Sequence, residues 1–116
     1  MDKVILEVNS FADSMDRFKQ AWKTGKAARV SRIGFATPEL MWRVLTEKRW
    51  AILRVMTGAG PLGVRELARR VGRDVKGVHT DATALIHAGV IDRTDDGKLL
   101  FPYRHVEVRF TLDAAA

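Results

Sequence analysis

Residues 65–91, RELARRVGRDVKGVHTDATALIHAGVI, decide the fold. They read as two short amphipathic helices broken at Val71-Gly72-Arg73. In the first, Val64, Leu67, Ala68 and Val71 recur at helical spacing and face inward. Gly63 caps it with Glu66 at the third position, a capping box without the reciprocal hydroxyl. Gly72 permits the left-handed backbone that stops a helix sharply. Asp74 then caps a second helix whose buried stripe is Val75, Val78, Ala82, Leu85 and Ile86. Ala68 is small enough for close helix approach, and Val78 fills the angle between the two. Two helices around a tight turn of this kind form a helix-turn-helix.

Upstream, Thr37 caps a short helix with Pro38 at its first position, running to about Leu45. Thr46 caps another from Glu47 to about Thr57, apolar on most sides through Ile52, Leu53, Val55 and Met56. Such a helix is sandwiched. Residues 58–63, rich in Gly and Pro, are a loop. Downstream, a strand over Val90 to Thr94, a turn at Asp96-Gly97 and a strand from Lys98 to Tyr103 make a hairpin. At the N-terminus, Val4, Leu6 and Val8 alternate with Lys3 and Glu7, which predicts a half-buried strand. A helix capped by Asn9 or Ser10 follows, with Phe11, Met15, Phe18 and Trp22 in one stripe and Lys19, Lys23 and Lys26 toward a stop at Gly25. Arg29 to Ala36 is a second strand. Val106, Val108, Phe110 and Leu112 alternate and can pair with the first strand, in the same or a partner chain. The fold class is α+β: a strand-helix-strand extension over residues 1–37, for dimerisation or partner binding, ahead of a helix-turn-helix domain with a following hairpin over residues 38–116.

The chain has 116 residues, a net charge of +6 and a pI near 10.2, which favour a polyanionic partner, nucleic acid before an anionic membrane. It has no cysteine, which excludes disulfides, thiolate metal sites and cysteine nucleophiles. No apolar run reaches the roughly 20 residues of a bilayer span, and the N-terminus lacks signal-peptide features. A cytoplasmic protein without a membrane partner is expected. Between Arg17 and Arg32 there are six basic residues and no acidic one, a run that reads as a DNA-backbone footprint, a face for an acidic protein, or a merely solvated surface.

The run from TPELMWRVL through GPLGVRELARRVGRDVKGVHTDATALIHAGVIDRTDDGKLLFPY, about residues 36–112, resembles MarR-like winged helix-turn-helix predicted regulators. Some of these are antitoxins paired with TumE-like RNase toxins. The resemblance implies a winged helix-turn-helix whose second motif helix enters the major groove. Opposite its buried stripe lie Arg73, Lys76, Gly77, Thr80 and Ala84, with Thr83 at the edge, and the resemblance carries base reading to these positions. Lys76 can donate to guanine O6 and N7, Thr80 can meet several base edges, and the Ala84 methyl can meet thymine. Gly77 costs about 1 kcal/mol against Ala in a helix, and serves either close approach to the groove or tight packing on the preceding helix. Arg65, Arg69, Arg70 and His79 are expected at phosphates, which hold register without reading sequence. Arg93 and Lys98 of the hairpin are expected there too, although Asp92, Asp95 and Asp96 stand beside them.

One such unit reads few base pairs, so a homodimer is expected, its interface built on Val4, Leu6, Phe11, Phe18 and Trp22. The expected function is a sequence-specific transcriptional regulator, a repressor acting as a dimer on a palindromic operator. The alternative is an antitoxin that covers a small RNase toxin and autoregulates its operon. Catalysis, cofactors and metals are not expected. His79, His87 and His105 lack metal-ligand spacing, and the Asp95-Asp96 pair is accounted for by turn chemistry.

Overall fold

The protein is described by a computed structural model covering residues 3–9, 15, 19 and 30–111. Its order is β1 (Lys3–Val8), β2 (Ser31–Phe35), α1 (Pro38–Val44), α2 (Glu47–Met56), α3 (Val64–Val71), α4 (Val75–His87), β3 (Asp92–Arg93), β4 (Leu99–Leu100) and β5 (His105–Arg109). The architecture is mixed α+β.

Local chemistry accounts for the helix starts. The Thr37 hydroxyl accepts from the Leu40 amide at 3.1 Å ahead of Pro38, and the Thr46 hydroxyl accepts from the Arg49 amide at 3.3 Å. Asp74 Oδ2 accepts from the Gly77 amide at 2.8 Å to open α4. The corner between α3 and α4 is made by Gly72, at φ 73° and ψ 36°. Its amide and that of Arg73 both reach back to the Ala68 carbonyl, at 2.9 and 3.1 Å. That backbone costs any residue with a Cβ about 1 kcal/mol or more. Ala68 and Val78 are buried where the two helices meet, as the spacing predicts.

β1 is the centre of a three-stranded sheet, ordered β2-β1-β5 and parallel throughout. Leu6 stands beside Ile33 and Val108, and Lys3 beside His105. The expected pairing of the C-terminal strand with β1 therefore occurs within one chain. The half-buried reading of β1 is corrected: Val4, Ile5, Leu6 and Glu7 are all buried. A central parallel strand is covered on both faces, so alternation of exposure disappears. Glu7 accepts from Arg32 Nη1 at 2.9 Å.

Val4 and Leu6 are also corrected as interface residues. Both are fully buried in a core shared with Phe35, Met41, Ile52, Leu53, Met56, Leu67, Val78, Leu85, Ile91 and Phe101. Phe11, Phe18 and Trp22, with the helix read over them, lie outside the described residues. Because β5 sits beside β1, and one core spans strands and helices, residues 1–37 and 38–116 share both a sheet and an interior.

The hairpin is shorter than predicted. Only Asp92–Arg93 and Leu99–Leu100 pair, antiparallel, around a turn in which Gly97 takes φ 84°. The Thr94 hydroxyl occupies that turn, donating to Asp96 and accepting from the Lys98 amide. Leu62, just ahead of α3, extends the pairing by exchanging two backbone bonds with Leu99, at 2.9 and 2.7 Å. This fixes the hairpin against the start of α3.

Candidate nucleic-acid interface

α4 turns Val78, Ala82 and Leu85 inward. Its outward face carries Val75, Lys76, His79, Thr80 and His87, all exposed, with Ala84 half-exposed. Lys76 and Thr80 therefore stand where the helical wheel puts them. The Thr80 hydroxyl donates to the Lys76 carbonyl at 3.1 Å and keeps its lone pairs free to accept. Val75 was read as part of the buried stripe. It is 40% exposed, because the first residue of α4 precedes the point where the helix meets α3.

Two expected base readers are placed otherwise. Arg73 turns back over the start of α4 and donates from Nη2 to Asp81 Oδ2 at 2.9 Å. Its guanidinium is committed there, so Arg73 positions α4 rather than facing outward. The Thr83 hydroxyl oxygen is buried, which removes it from the outward face.

Asp81 is the centre of a cluster that sequence reasoning missed. Arg49 of α2 donates from Nε to Asp81 Oδ1 at 3.0 Å, opposite Arg73. Arg49 Nη1 also donates to the Val44 carbonyl at 3.2 Å, closing the end of α1. One carboxylate thereby fastens α1, α2 and the α3–α4 corner to α4. Burial, the strongest single influence, pushes the Asp81 carboxyl upward. The hydrogen bonds from Arg49 and Arg73 together outweigh it and hold the group below the usual aspartate range. The only signal in the sequence is a lone acid beside the buried positions Val78 and Ala82 in an otherwise neutral or basic helix.

The cluster also bears on Gly77. A Cβ there would lie 3.1 Å from both Arg73 Nη2 and Asp74 Oδ1. Gly77 thus leaves room for the Arg73 side chain and the Asp74 cap, which are its nearest neighbours.

On α3, Arg69 and Arg70 both bind Glu66, Arg70 Nε at 3.0 Å. The hydrogen bonds from these two arginines, Arg69 first, lower the Glu66 carboxyl to about 2. Two guanidinium groups on one carboxylate leave the exposed side of α3 positive. Arg65 is exposed on the same helix and makes no ion pair among the described residues. His79 and Arg93 line a cleft of about 170 Å³ between α4 and the hairpin, with Val64, Ala82, Gly97 and Leu99. Lys98 lies 4.0 Å from Asp96, a loose contact that blunts its charge. Of the basic run from Arg17 to Arg32, Lys19 is exposed and Arg32 binds Glu7; the others lie outside the described residues.

Among the described residues, no helix is long and apolar enough to cross a membrane, and no three acidic or His side chains group as metal ligands. Comparison with curated proteins and with solved structures finds no match. A protein-family comparison does find one, over residues 44–108, more than half of the chain. The match runs from the end of α1 through both helices of the corner, the hairpin and most of β5. By that match the chain belongs to the HVO_A0114 family.

Proposed function

We propose that this protein is a winged helix-turn-helix regulator of the MarR-like kind, which inserts α4 into the major groove and represses transcription as a dimer on a palindrome. The observation that carries the reading is the outward face of α4. Lys76 and Thr80 are exposed side by side on it, and the helix's one acid, Asp81, is turned inward and neutralised by two arginines. Beyond the Asp74 cap, a helix so arranged meets DNA with donors and methyls, its internal carboxylate turned away.

In this reading Lys76 donates to guanine O6 or N7. Thr80 accepts from an exocyclic amine, and the Ala84 and Val75 methyls pack against thymine. Arg65, Arg69 and Arg70 bind phosphates beside the groove, and His79 with Arg93 grips the backbone where the hairpin meets α4. Two copies of α4 about 34 Å apart span successive major-groove faces, and the bound dimer represses by occlusion. No feature of the described residues singles out a face for a toxin, so the DNA reading is the one carried forward.

Lys76→Ala and Thr80→Ala each lose about 1–3 kcal/mol of discrimination between a selected site and scrambled DNA. Arg65→Ala weakens both duplexes alike and lowers the salt slope by about one. Fluorescence anisotropy across a salt series separates the two effects. Unchanged discrimination in both α4 variants would remove α4 as the reader.

A further inference from the structure

The free edge of the parallel sheet carries an unmatched surface. β5 bonds to β1 on one side, and among the described residues nothing pairs with its other side. Open strand edges recruit further strands unless they are blocked. At the end of this strand an aromatic ring is left exposed: Phe110, directly after β5, is 45% exposed and meets Trp42 of α1, itself 51% exposed, edge-to-face at 4.9 Å. A cleft of about 300 Å³ opens near the start of the same strand, lined by Val106 with Trp50, Leu53, Arg54 and Thr57 of α2 and its C-cap.

We propose that a second copy of this chain pairs antiparallel with β5 about a two-fold axis at Val108. This supplies the contact for the dimer that the repressor reading requires, and it rests on that reading only for its purpose. The register follows from charge. Within one chain Glu107 already takes Lys3 at 2.8 Å and Arg109. With Val108 opposite its own copy, each Glu107 also faces Arg109 of the second chain, so the two ion pairs lie side by side with opposite charges adjacent. Shifting the axis to Glu107 sets two carboxylates against each other and His105 against Arg109, a mismatch that strand pairs avoid.

The same register handles the apolar side. Val106 falls opposite Phe110 of the second copy, which delivers that exposed ring to the mouth of the cleft that Val106 lines. Both clefts are filled by one symmetric contact, as an isologous interface demands. The other edge strand, β2, offers no equivalent among the described residues. An axis at Ile33 sets Arg32 opposite Gly34, and Phe35 is already buried in the core.

The chain has no cysteine, so single introduced thiols report the geometry directly. Under mild oxidation, the full-length Val108→Cys chain forms a disulfide-linked dimer, while Ser31→Cys on the β2 edge stays monomeric on a non-reducing gel. By light scattering without DNA, Phe110→Asp weakens self-association at least about tenfold. Glu107→Arg and Arg109→Glu each weaken it, and the double reversal restores it, with circular dichroism showing each variant folded. Crosslinking through Ser31→Cys instead of Val108→Cys overturns the proposal. So does a wild-type chain that stays monomeric, or a double reversal no better than the worse single variant. None of these readouts involves DNA, so loss of the dimer contact and loss of base reading by α4 are told apart.

Discussion

Asp81→Ala lowers the unfolding free energy by about 2–4 kcal/mol, a little under the ~3–5 kcal/mol for breaking a fully buried pair because this cluster is partly exposed. The size follows from what the change strands. Arg49 and Arg73 are each only about one-fifth exposed, and both aim at the same carboxylate. Arg73 Nη1 is already buried with no partner among the described residues, so the site has little spare capacity to resolvate. Urea denaturation monitored by circular dichroism measures the loss. Asp81→Asn retains the shape and some hydrogen bonds, and loses less.

The sign of the pH effect is fixed by the lowered carboxyl of Asp81. Its charged form is favoured in the folded chain, so its contribution is complete above the ordinary aspartate pKa of about 4. The contribution drains away as pH falls below that value through the lower folded one. Glu66 titrates in the same acid window on the exposed surface. Comparing wild type with Asp81→Asn cancels Glu66, and the difference between their stabilities shrinks on acidification. A gap that stayed constant from neutral pH down to pH 3 would show that the charge of Asp81 contributes nothing to folding.

Phe101→Ala costs about 3–5 kcal/mol, as for other fully buried aromatic truncations. Phe101 is fully buried, stacks edge-on against Tyr103 at 5.0 Å, and lies in the chain between the hairpin and β5. It belongs to the same core as Val4 and Leu6 of β1 and Leu67 and Val78 of the helix corner. The loss is therefore expected in one transition, with tryptophan fluorescence and circular dichroism coinciding before and after the change. Two separated transitions would mean that the sheet and the helices fold as independent units.

Local features were legible because each depends on one or two neighbouring side chains. Thr37, Thr46 and Asp74 cap the helices that follow them, and Gly72 takes the positive φ that its place after Val71 required. Lys76 and Thr80 followed from helical periodicity alone. What escaped depended on partners distant in sequence. Alternation in β1 pointed to one wet face, but flanking parallel strands put Ile5 and Glu7 out of solvent as well. Arg73 looked like one more cation on a basic face, since its tie to Asp81 is completed by Arg49 from another helix. Gly77 could be understood only once the path of Arg73 across it was known. The Val4 and Leu6 surface needed cover, and the chain's own helices supply it.

If the outward face of α4 reads base edges, the full-length chain selects a defined binding site from a pool of random duplexes. The expected product is a palindrome with half-sites centred about one helical turn apart, and its enrichment is lost with Lys76→Ala. Recovery of no preferred sequence, or of the same sequence by the Lys76→Ala chain, would contradict base reading by α4.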